Sequence, residues 1–301
     1  MSSIEMWQLK QRQSLDLSIK EKYTAARIRV WYEHWDGQVY VSFSGGKDST
    51  VLLHQVRRLY PDVPAVFCDT GLEYPEIREF VKTIENVVWV KPKMSFKKVL
   101  ETYGYPIVSK KVARFVRDLQ NPTERNVAVR NLRLTGMNRK GVFCPSQILS
   151  KKWRKLIDAP FKVSDKCCDI MKKDPLHRYV KQTGRKPMTA VMAYESNMRE
   201  KMYLKNGCNV FSGNNAISMP MAFWVEDDIW KYIRKYDVAY STIYDMGEKR
   251  TGCCFCMFGV HLEKGTNRFQ RMKVTHPTLY NYCMNNLGLK RCLQFIGVEY
   301  E

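Results

Sequence analysis

Several features are missing from this sequence, and each absence narrows the class of protein. No run of about 18 apolar residues occurs, so no helical membrane span is expected. The N-terminal stretch MSSIEMWQLKQRQS has no apolar signal core, which predicts a cytoplasmic protein. Internal repeats, low-complexity segments and clear linkers are also absent. We therefore expect a globular protein that makes no use of a membrane.

Acidic residues are few relative to basic ones. The chain has 30 Asp and Glu against 50 Lys and Arg, a net charge of +20. The stretch 91–160 alone holds 17 Lys and Arg against 4 Asp and Glu, a net of +13. Such a surplus attracts polyanions in a salt-dependent way. It predicts a nucleic-acid partner, with a small anionic nucleotide or a solvated basic surface as the alternatives.

The chain alternates apolar runs with helical patterns, as in proteins whose parallel sheet is covered by helices. Strands are predicted at Gln38–Phe43, Ala65–Cys68, Val87–Val90 and Pro187–Ala193. A helix is predicted at 15–35 from the spacing of Ile19, Tyr23, Ala26 and Val30. Further helices are predicted at Ser49–Leu59 and Tyr74–Ile84, in a stretch that begins with Phe96–Thr102, from about Val225 onward, and over Thr275–Tyr300. Residues 108–158 read as basic and mostly helical. The pattern predicts the α/β class with a parallel sheet.

A glycine-rich stretch joins the first predicted strand to its helix. It reads Ser44-Gly45-Gly46-Lys47-Asp48-Ser49-Thr50. Glycines let backbone N–H groups approach an oxyanion, and the helix N-terminus favours negative charge. The spacing differs from GxxxxGK[ST], so this is not a Walker loop. The stretch predicts a phosphate site with Lys47 as its cation.

The segment SFSGGKDST resembles the pyrophosphate-binding loop of the adenine-nucleotide α-hydrolase-like (PP-loop) ATP pyrophosphatases. Over about 35–260 the chain is similar to the phosphoadenylylsulfate (PAPS) reductase family, whose members include DNA phosphorothioation pyrophosphatases. The resemblance implies that ATP and Mg²⁺ bind here and that the bond between the α and β phosphates is cleaved. It implies that Ser44–Thr50 contact the nucleotide and that Lys47 and Asp48 are catalytic.

Three further segments carry the same resemblance. Asp69-Thr70-Gly71 is similar to a pocket-forming segment of the reductases, which implies nucleotide contacts. AVMAYESNMR resembles another nucleotide-contacting stretch and implies roles for Glu195 and Arg199, although its usual glycine and arginine are replaced by Ala190 and Met192. The segment from Pro220 to Trp230, with Tyr240 and Tyr244 after it, resembles a family helix expected to serve the core.

Ten cysteines are present, and without an export signal we expect thiols or metal ligands rather than disulfides. Cys167-Cys168 and a later Cys253-x-x-Cys256 supply four thiols, which suit zinc or an iron–sulfur cluster alike. The resemblance to cluster-bearing adenylylsulfate reductases implies a [4Fe–4S] cluster on these four. Cys208 and Cys254 are possible substitutes.

The expected organisation is an N-terminal helical segment (1–36), a PP-loop domain (37–250) with a basic insertion (91–160), and a C-terminal cysteine and aromatic extension (251–301). The reductases end in a Glu-Cys-Gly-Leu/Ile-His tail, whereas this chain ends in LKRCLQFIGVEYE. The first hypothesis is therefore an ATP pyrophosphatase that adenylylates DNA or tRNA, with a cysteine desulfurase as sulfur donor. The alternatives are a sulfonucleotide reductase, using Cys292 or a partner thiol, and a non-enzymatic nucleic-acid-binding protein.

Overall fold

The computed structural model describes residues 4–213 and 216–301, so the first three residues of the predicted N-terminal segment lie outside the description. The chain divides into two compact units. The first unit comprises residues 1–69, 73–91 and 175–251, and the second comprises residues 70–72, 92–174 and 252–301. Each unit is assembled from separated stretches of chain, whereas the expected segments are continuous. The predicted segment boundaries stay a prediction.

The first unit contains a six-stranded sheet. Its strands are β1 (Val39–Phe43), β2 (Ala65–Cys68), β3 (Val87–Val90), β5 (Lys186–Met188), β6 (Asn209–Val210) and β7 (Ile217–Ser218). They lie in the order β3-β2-β1-β5-β7-β6. All neighbouring pairs are parallel except β6 with β7. The α/β class and its mostly parallel sheet are thus confirmed.

Helices cover this sheet. They are α1 (Met6–Ser14), α2 (Leu17–His34), α3 (Lys47–Leu59), α4 (Pro75–Lys82), α8 (Asp174–Thr183), α9 (Asn197–Asn206) and α10 (Glu226–Tyr236). The central strand β1 is buried, as are Val51, Leu52 and Val56 of α3. Burial of these side chains fixes α3 against the sheet and fixes the loop that joins it to β1.

The second unit is mostly helical. Its helices are α5 (Phe96–Tyr103), α6 (Lys110–Gln120), α7 (Val127–Thr135), α11 (Arg268–Thr275), α12 (Pro277–Asn281) and α13 (Leu289–Ile296). Two short strands, β4 (Ile107–Val108) and β8 (Met257–Phe258), pair in parallel. The helical tail is therefore present, although it is divided by a turn at Gly288, whose φ is +69°. After α7 the basic stretch forms 3₁₀ turns rather than the longer helices that its composition predicts.

Two local predictions need correction. The strand expected at Pro187–Ala193 instead runs from Lys186 to Met188, because its neighbour β7 is two residues long and pairs with it at Met188 alone. The chain then enters a 3₁₀ turn (Ala193–Glu195), in which the backbone N–H of Met192 donates to the Glu195 carboxylate. In α2, the spacing of Ile19 and Val30 predicts the helix, but both side chains are exposed.

The buried face of α2 carries Lys20, Thr24, Ile28 and Trp31 instead. Lys20 is tolerated there because its ammonium forms a 2.6 Å ion pair with Asp228 of α10. Within the described ranges, no helix is long and apolar enough to span a bilayer.

Candidate nucleotide and cysteine sites

Two glycines give the loop after β1 its shape. Gly45 has φ +72°, and a Cβ on it would lie 2.8 Å from both Ile77 and Val81. A Cβ on Gly46 would lie 2.6 Å from the Thr251 hydroxyl oxygen. Both positions therefore need glycine, the first for its backbone angle and both for space.

Hydroxyl groups brace the same loop from inside. The backbone N–H of Ser44 donates to Ser49 Oγ at 3.1 Å. Ser49 Oγ in turn donates to the Gly46 carbonyl at 2.9 Å, and Thr50 Oγ1 donates to that carbonyl at 3.1 Å. The loop is thus held in a defined conformation at the N-terminus of a 13-residue helix, which is the arrangement of an anion site.

Lys47 is buried at the first position of α3. Its ammonium lies 3.2 Å from Glu226 and 3.7 Å from Asp48, and it donates to the Lys249 carbonyl at 3.2 Å. Its backbone N–H donates to the Tyr244 hydroxyl at 2.8 Å. A buried cation and the helix N-terminus therefore meet at one place.

Carboxylates surround this cation. Burial, reinforced by the charges of Glu195 and Glu226, raises the pKa of Asp48, and the Lys47 ammonium only partly offsets this. Glu195 is itself fixed by an ion pair with Arg199. The grouping of a cation with three carboxylate side chains suits a phosphate and a hard divalent cation together.

The predicted Asp69-Thr70-Gly71 segment is divided between the two units. Asp69 is buried in the first unit, where it forms a 3.1 Å ion pair with Arg78. In the second unit, Thr70 Oγ1 accepts the backbone N–H of Leu72 at 3.1 Å, and Gly71 has φ +71°. The geometry gives Asp69 a structural partner, and the predicted nucleotide contacts of the three residues stay a prediction.

Several residues that lie beside the loop are not identified from the sequence, which predicts only a core role for their segment. Glu226 and Trp230 belong to the helix expected to be structural, yet the Trp230 ring centroid lies 5.9 Å from the Lys47 ammonium. Tyr244 closes over the loop and hydrogen-bonds Thr251 at 3.1 Å. Burial raises the pKa of Tyr244 to about 12, so its hydroxyl stays protonated. The feature of the sequence that could have indicated Glu226 is its place as an acidic residue in the first turn of α10.

The second unit contains a small apolar pocket into which four cysteines converge. Its lining consists of Cys167, Cys168, Cys253, Cys256, Leu72, Phe96, Pro106, Met171 and Lys172. The Sγ atoms of Cys167 and Cys168 are 3.9 Å apart. The two predicted cysteine pairs, far apart in sequence, therefore line one pocket.

The thiols of this pocket differ in acidity. The hydrogen bond from the Cys167 thiol, followed by the charges of Lys110 and Lys172, lowers the pKa of Cys168 to about 6. Donating that bond, together with burial, raises the pKa of Cys167. Burial also raises the pKa of Cys256. Cys168 is thus the thiol best able to act as a thiolate near neutral pH.

A bound metal group requires its donor atoms at particular distances. Across residues 4–213 and 216–301, no three His, Cys, Asp or Glu side chains are placed to hold one metal ion. A single zinc ion needs every Sγ within about 2.3 Å of it, whereas a cluster binds each thiolate through a different iron and spaces the thiolates more widely. Four thiols around an apolar pocket supply the donor type that a cluster needs, although the 3.9 Å between the Sγ atoms of Cys167 and Cys168 is closer than the wide spacing of cluster-bound thiolates. The iron–sulfur site itself stays a prediction.

The two possible substitute ligands lie outside this lining. Cys254 is buried, and its backbone N–H donates to the Leu72 carbonyl at 2.8 Å. Cys208 belongs to the first unit, where burial raises its pKa to about 11. The pocket is therefore lined by the four cysteines that the resemblance implies as ligands, and neither substitute is part of its lining.

The fold is of the α/β class, with a glycine-rich loop between its central strand and α3. The family model of the phosphoadenosine phosphosulfate reductase domain matches residues 38–118 and 109–258. The chain belongs to this family, which indicates a sulfonucleotide-related enzyme. The likeness to DNA phosphorothioation pyrophosphatases is not confirmed by the matches and stays a prediction.

Individual relatives are distant. The chain is 27% identical over 277 residues to an uncharacterized protein of Methanocaldococcus jannaschii, covering 87% of this chain and 51% of that one. It is 23% identical to the adenosine 5'-phosphosulfate reductase of Anoxybacillus flavithermus, covering 88% and 92%. This chain thus spans about half the length of the first relative. A solved PAPS reductase from Candida auris, in a phosphate complex, is 14% identical with a TM-score of 0.43, covering 84% and 98%.

Proposed function

We propose that this chain is an ATP pyrophosphatase that activates a nucleic acid for sulfur insertion. The observation that carries the proposal is the position of Lys47, which is buried at the N-terminus of α3 and surrounded by Asp48 and Glu226. A buried cation at a helix N-terminus favours the charge that develops on leaving pyrophosphate. The basic surplus supports a polyanionic substrate.

In the first step, an oxygen of the nucleic acid attacks the α-phosphorus of ATP. The bond from that phosphorus to the α–β bridging oxygen breaks, its electron pair leaves with pyrophosphate, and AMP remains on the attacking oxygen. Backbone N–H groups of the loop bind the β and γ phosphates, and Lys47 balances the charge on the leaving group. Tyr244 must release the Lys47 N–H for a phosphate oxygen to accept it.

Asp48, Glu195 and Glu226 would hold the Mg²⁺ that accompanies ATP. When bound, the ion neutralises phosphate charge and orients the two phosphates for displacement. The chain keeps these carboxylates beside the Lys47 ammonium, so that the carboxylates bind Mg²⁺ while the ammonium binds the phosphates of ATP.

The cysteine pocket serves the second stage. Cys167, Cys168, Cys253 and Cys256 would hold a [4Fe–4S] cluster, which supplies a binding point for sulfur. A persulfide from a cysteine desulfurase is the proposed sulfur source. Its terminal sulfur attacks the adenylylated atom and AMP departs with its oxygen. A thiol reductant then supplies two electrons to break the remaining S–S bond.

The second candidate is a sulfonucleotide reductase, and the adenosine 5'-phosphosulfate reductases among the relatives favour it. Such a reaction needs a thiol that attacks sulfur. Cys292 is unsuited, because its side chain is 0% exposed and burial raises its pKa to about 12. The adjacent Arg291 charge lowers the pKa by less than burial raises it. A reductase reaction would therefore depend on a partner thiol.

Replacing Lys47 by alanine tests the proposal. Anaerobically purified protein is incubated with ATP and either DNA or tRNA, and pyrophosphate release is measured. We expect Lys47→Ala to lower the rate by about 10²- to 10³-fold, the usual effect of removing one electrostatic group from a reaction site. Lys82→Ala is the matched control, because this exposed lysine of the same unit pairs only with Glu79 among the described residues.

Three outcomes would contradict the proposal. The first is pyrophosphate release that is unchanged by Lys47→Ala. The second is sulfite release from adenylylsulfate with thioredoxin and no ATP cleavage, which would establish the reductase. The third is binding of ATP and nucleic acid without turnover, which would establish a non-enzymatic binding protein.

A further inference from the structure

Residues 136–144 of the second unit form a tight hairpin, in which Met137 and Phe143 are bridged as an antiparallel pair. The Asn138 side-chain oxygen accepts the backbone N–H groups of Lys140 and Val142, both at 2.9 Å. The Asn138 N–H donates to the Val142 carbonyl at 3.1 Å. The turn is therefore fixed by its own hydrogen bonds and presents a defined tip.

Phe143 is the notable residue of this hairpin, because 58% of it is exposed. A Cβ on Gly136 would lie 2.8 Å from the Phe143 ring and 2.8 Å from the Ile148 side chain. The ring therefore rests against the Gly136 backbone, which needs glycine also for its φ of +83°. The aromatic ring is held in place on one side and remains open to solvent on another.

Positive charge lies on the same hairpin and on a 3₁₀ segment that follows it. The hairpin tip carries Arg139 and Lys140, and the following 3₁₀ segment (Lys151–Leu156) carries four more exposed cations: Lys151, Lys152, Arg154 and Lys155. Arg154 donates to the Leu134 carbonyl at 3.1 Å, which ties this segment to the end of α7. Among residues 4–213 and 216–301, none of these six cations forms a salt bridge.

Two arginines of the same stretch are neutralised by carboxylates. Arg117 pairs with Asp165 and Asp118, and the buried Arg133 pairs with Asp118 at 3.3 Å. These cations stabilise the unit and are unavailable to a partner. Among the described residues, the hairpin and the 3₁₀ segment therefore carry six cations without a salt bridge, in addition to exposed cations elsewhere such as Lys111 and Arg114 of α6.

We propose that this hairpin is a base-stacking platform for an unpaired segment of nucleic acid, with the six cations binding its phosphates. Proteins that bind single strands combine a basic surface with exposed aromatic rings on which bases stack. In a duplex the faces of the bases are already stacked on each other, so no base face is free to stack on the exposed ring. The inference rests on the proposed function in one respect, that the nucleic acid is the substrate to be activated.

The test measures binding of the full chain to fluorescent oligonucleotides without ATP, as single-stranded RNA, single-stranded DNA and duplex DNA of one sequence. We expect tighter binding to one or both single strands than to the duplex. Phe143→Ala should weaken single-strand binding by about 5- to 150-fold, as loss of one stacked base does, and Phe143→Trp should preserve it. Trp7→Ala, at an equally exposed aromatic of the first unit, should have no effect.

The charge contribution is tested separately. Arg139→Ala with Lys140→Ala should weaken binding to every oligonucleotide and reduce the salt dependence by roughly 1.4 in log–log slope, about 0.7 for each phosphate that is no longer neutralised. Lys22→Ala with Arg29→Ala removes the same charge from exposed positions of α2 and serves as the control.

Wild-type affinity retained by Phe143→Ala, or a preference for the duplex, would overturn the proposal. Failure of the proposed function looks different, because single-strand binding would then depend on Phe143 while no pyrophosphate is released. If binding and pyrophosphate release are both present, and Phe143→Ala lowers the stimulation of release by single strands, the two proposals stand together. The RNA and DNA arms identify which nucleic acid carries the unpaired segment.

Discussion

Gly46→Ala is the substitution whose effect can be worked out most fully from the loop geometry. The backbone of Gly46 has φ −79° and ψ 155°, which alanine adopts freely. The obstacle is space, since the new Cβ would lie 2.6 Å from Thr251 Oγ1 and 3.2 Å from the Tyr244 hydroxyl. Thr251 would have to turn away, and its 3.1 Å hydrogen bond to Tyr244 would be lost.

Three contributions set the change in the free energy of unfolding. Crowding costs about 1–3 kcal/mol, and the lost hydrogen bond costs about 0.5–1.5 kcal/mol. Restriction of the unfolded chain by alanine returns about 0.4–1 kcal/mol. We therefore expect Gly46→Ala to destabilise the protein by about 0.5–4 kcal/mol, with crowding as the deciding effect. Pyrophosphate release should fall as well, because the loop must shift.

Urea unfolding measures this change, with Gly252→Ala as the control. At Gly252 no atom lies within 4 Å of the place that a Cβ would take, and φ is not positive, so alanine there should cost nothing. The double variant Gly46→Ala with Thr251→Ala should lose less unfolding free energy than the two single variants lose together, because the hydroxyl that crowds the new Cβ is absent. Equal stability of Gly46→Ala and Gly252→Ala would refute the closure of Thr251 over the loop.

Three further predictions concern the rest of the chain. Cys168→Ser should abolish iron content and visible absorption in anaerobically purified protein while Cys144→Ala leaves both intact, and iron retained by Cys168→Ser would contradict the ligand set. Burial raises the pKa of Cys292 to about 12, so its thiol should stay protonated and react slowly with iodoacetamide at about pH 8 until urea unfolds the protein. Rapid labelling of the folded chain would contradict the burial of Cys292. Lys20→Met should lower the free energy of unfolding by about 3–5 kcal/mol, because it leaves Asp228 buried without its cation. The double variant with Asp228→Asn should recover part of that loss, and a loss below about 1 kcal/mol for Lys20→Met would show that the pair is not buried.

The elements that could be predicted from the sequence are those with a strong local signal. β2 and β3 were predicted at their observed bounds. The glycine-rich stretch from Ser44 to Thr50 was placed correctly after β1, although its residues from Lys47 onward already belong to α3. A buried parallel strand gives a short apolar run, and glycines mark the turn that follows it. These signals lie within a few residues of the feature they predict.

The features that were missed depend on contacts distant in sequence. Apolar spacing in α2 indicated the wrong face, because the buried Lys20 depends on Asp228, 208 residues later. Glu226 and Tyr244 approach the loop only because α10 and the turn after it pack in the first unit. No local pattern distinguishes a helix that serves only the core from one whose first turn also reaches a site.

The most direct measurement of the central claim identifies the products of ATP labelled at the α-phosphate. Anaerobically purified protein is incubated with the labelled ATP, Mg²⁺ and nucleic acid, and the products are separated. The account predicts labelled AMP, free or attached to the nucleic acid, in equal amount to pyrophosphate. Labelled ADP with inorganic phosphate, or intact ATP under conditions in which adenylylsulfate yields sulfite, would contradict it.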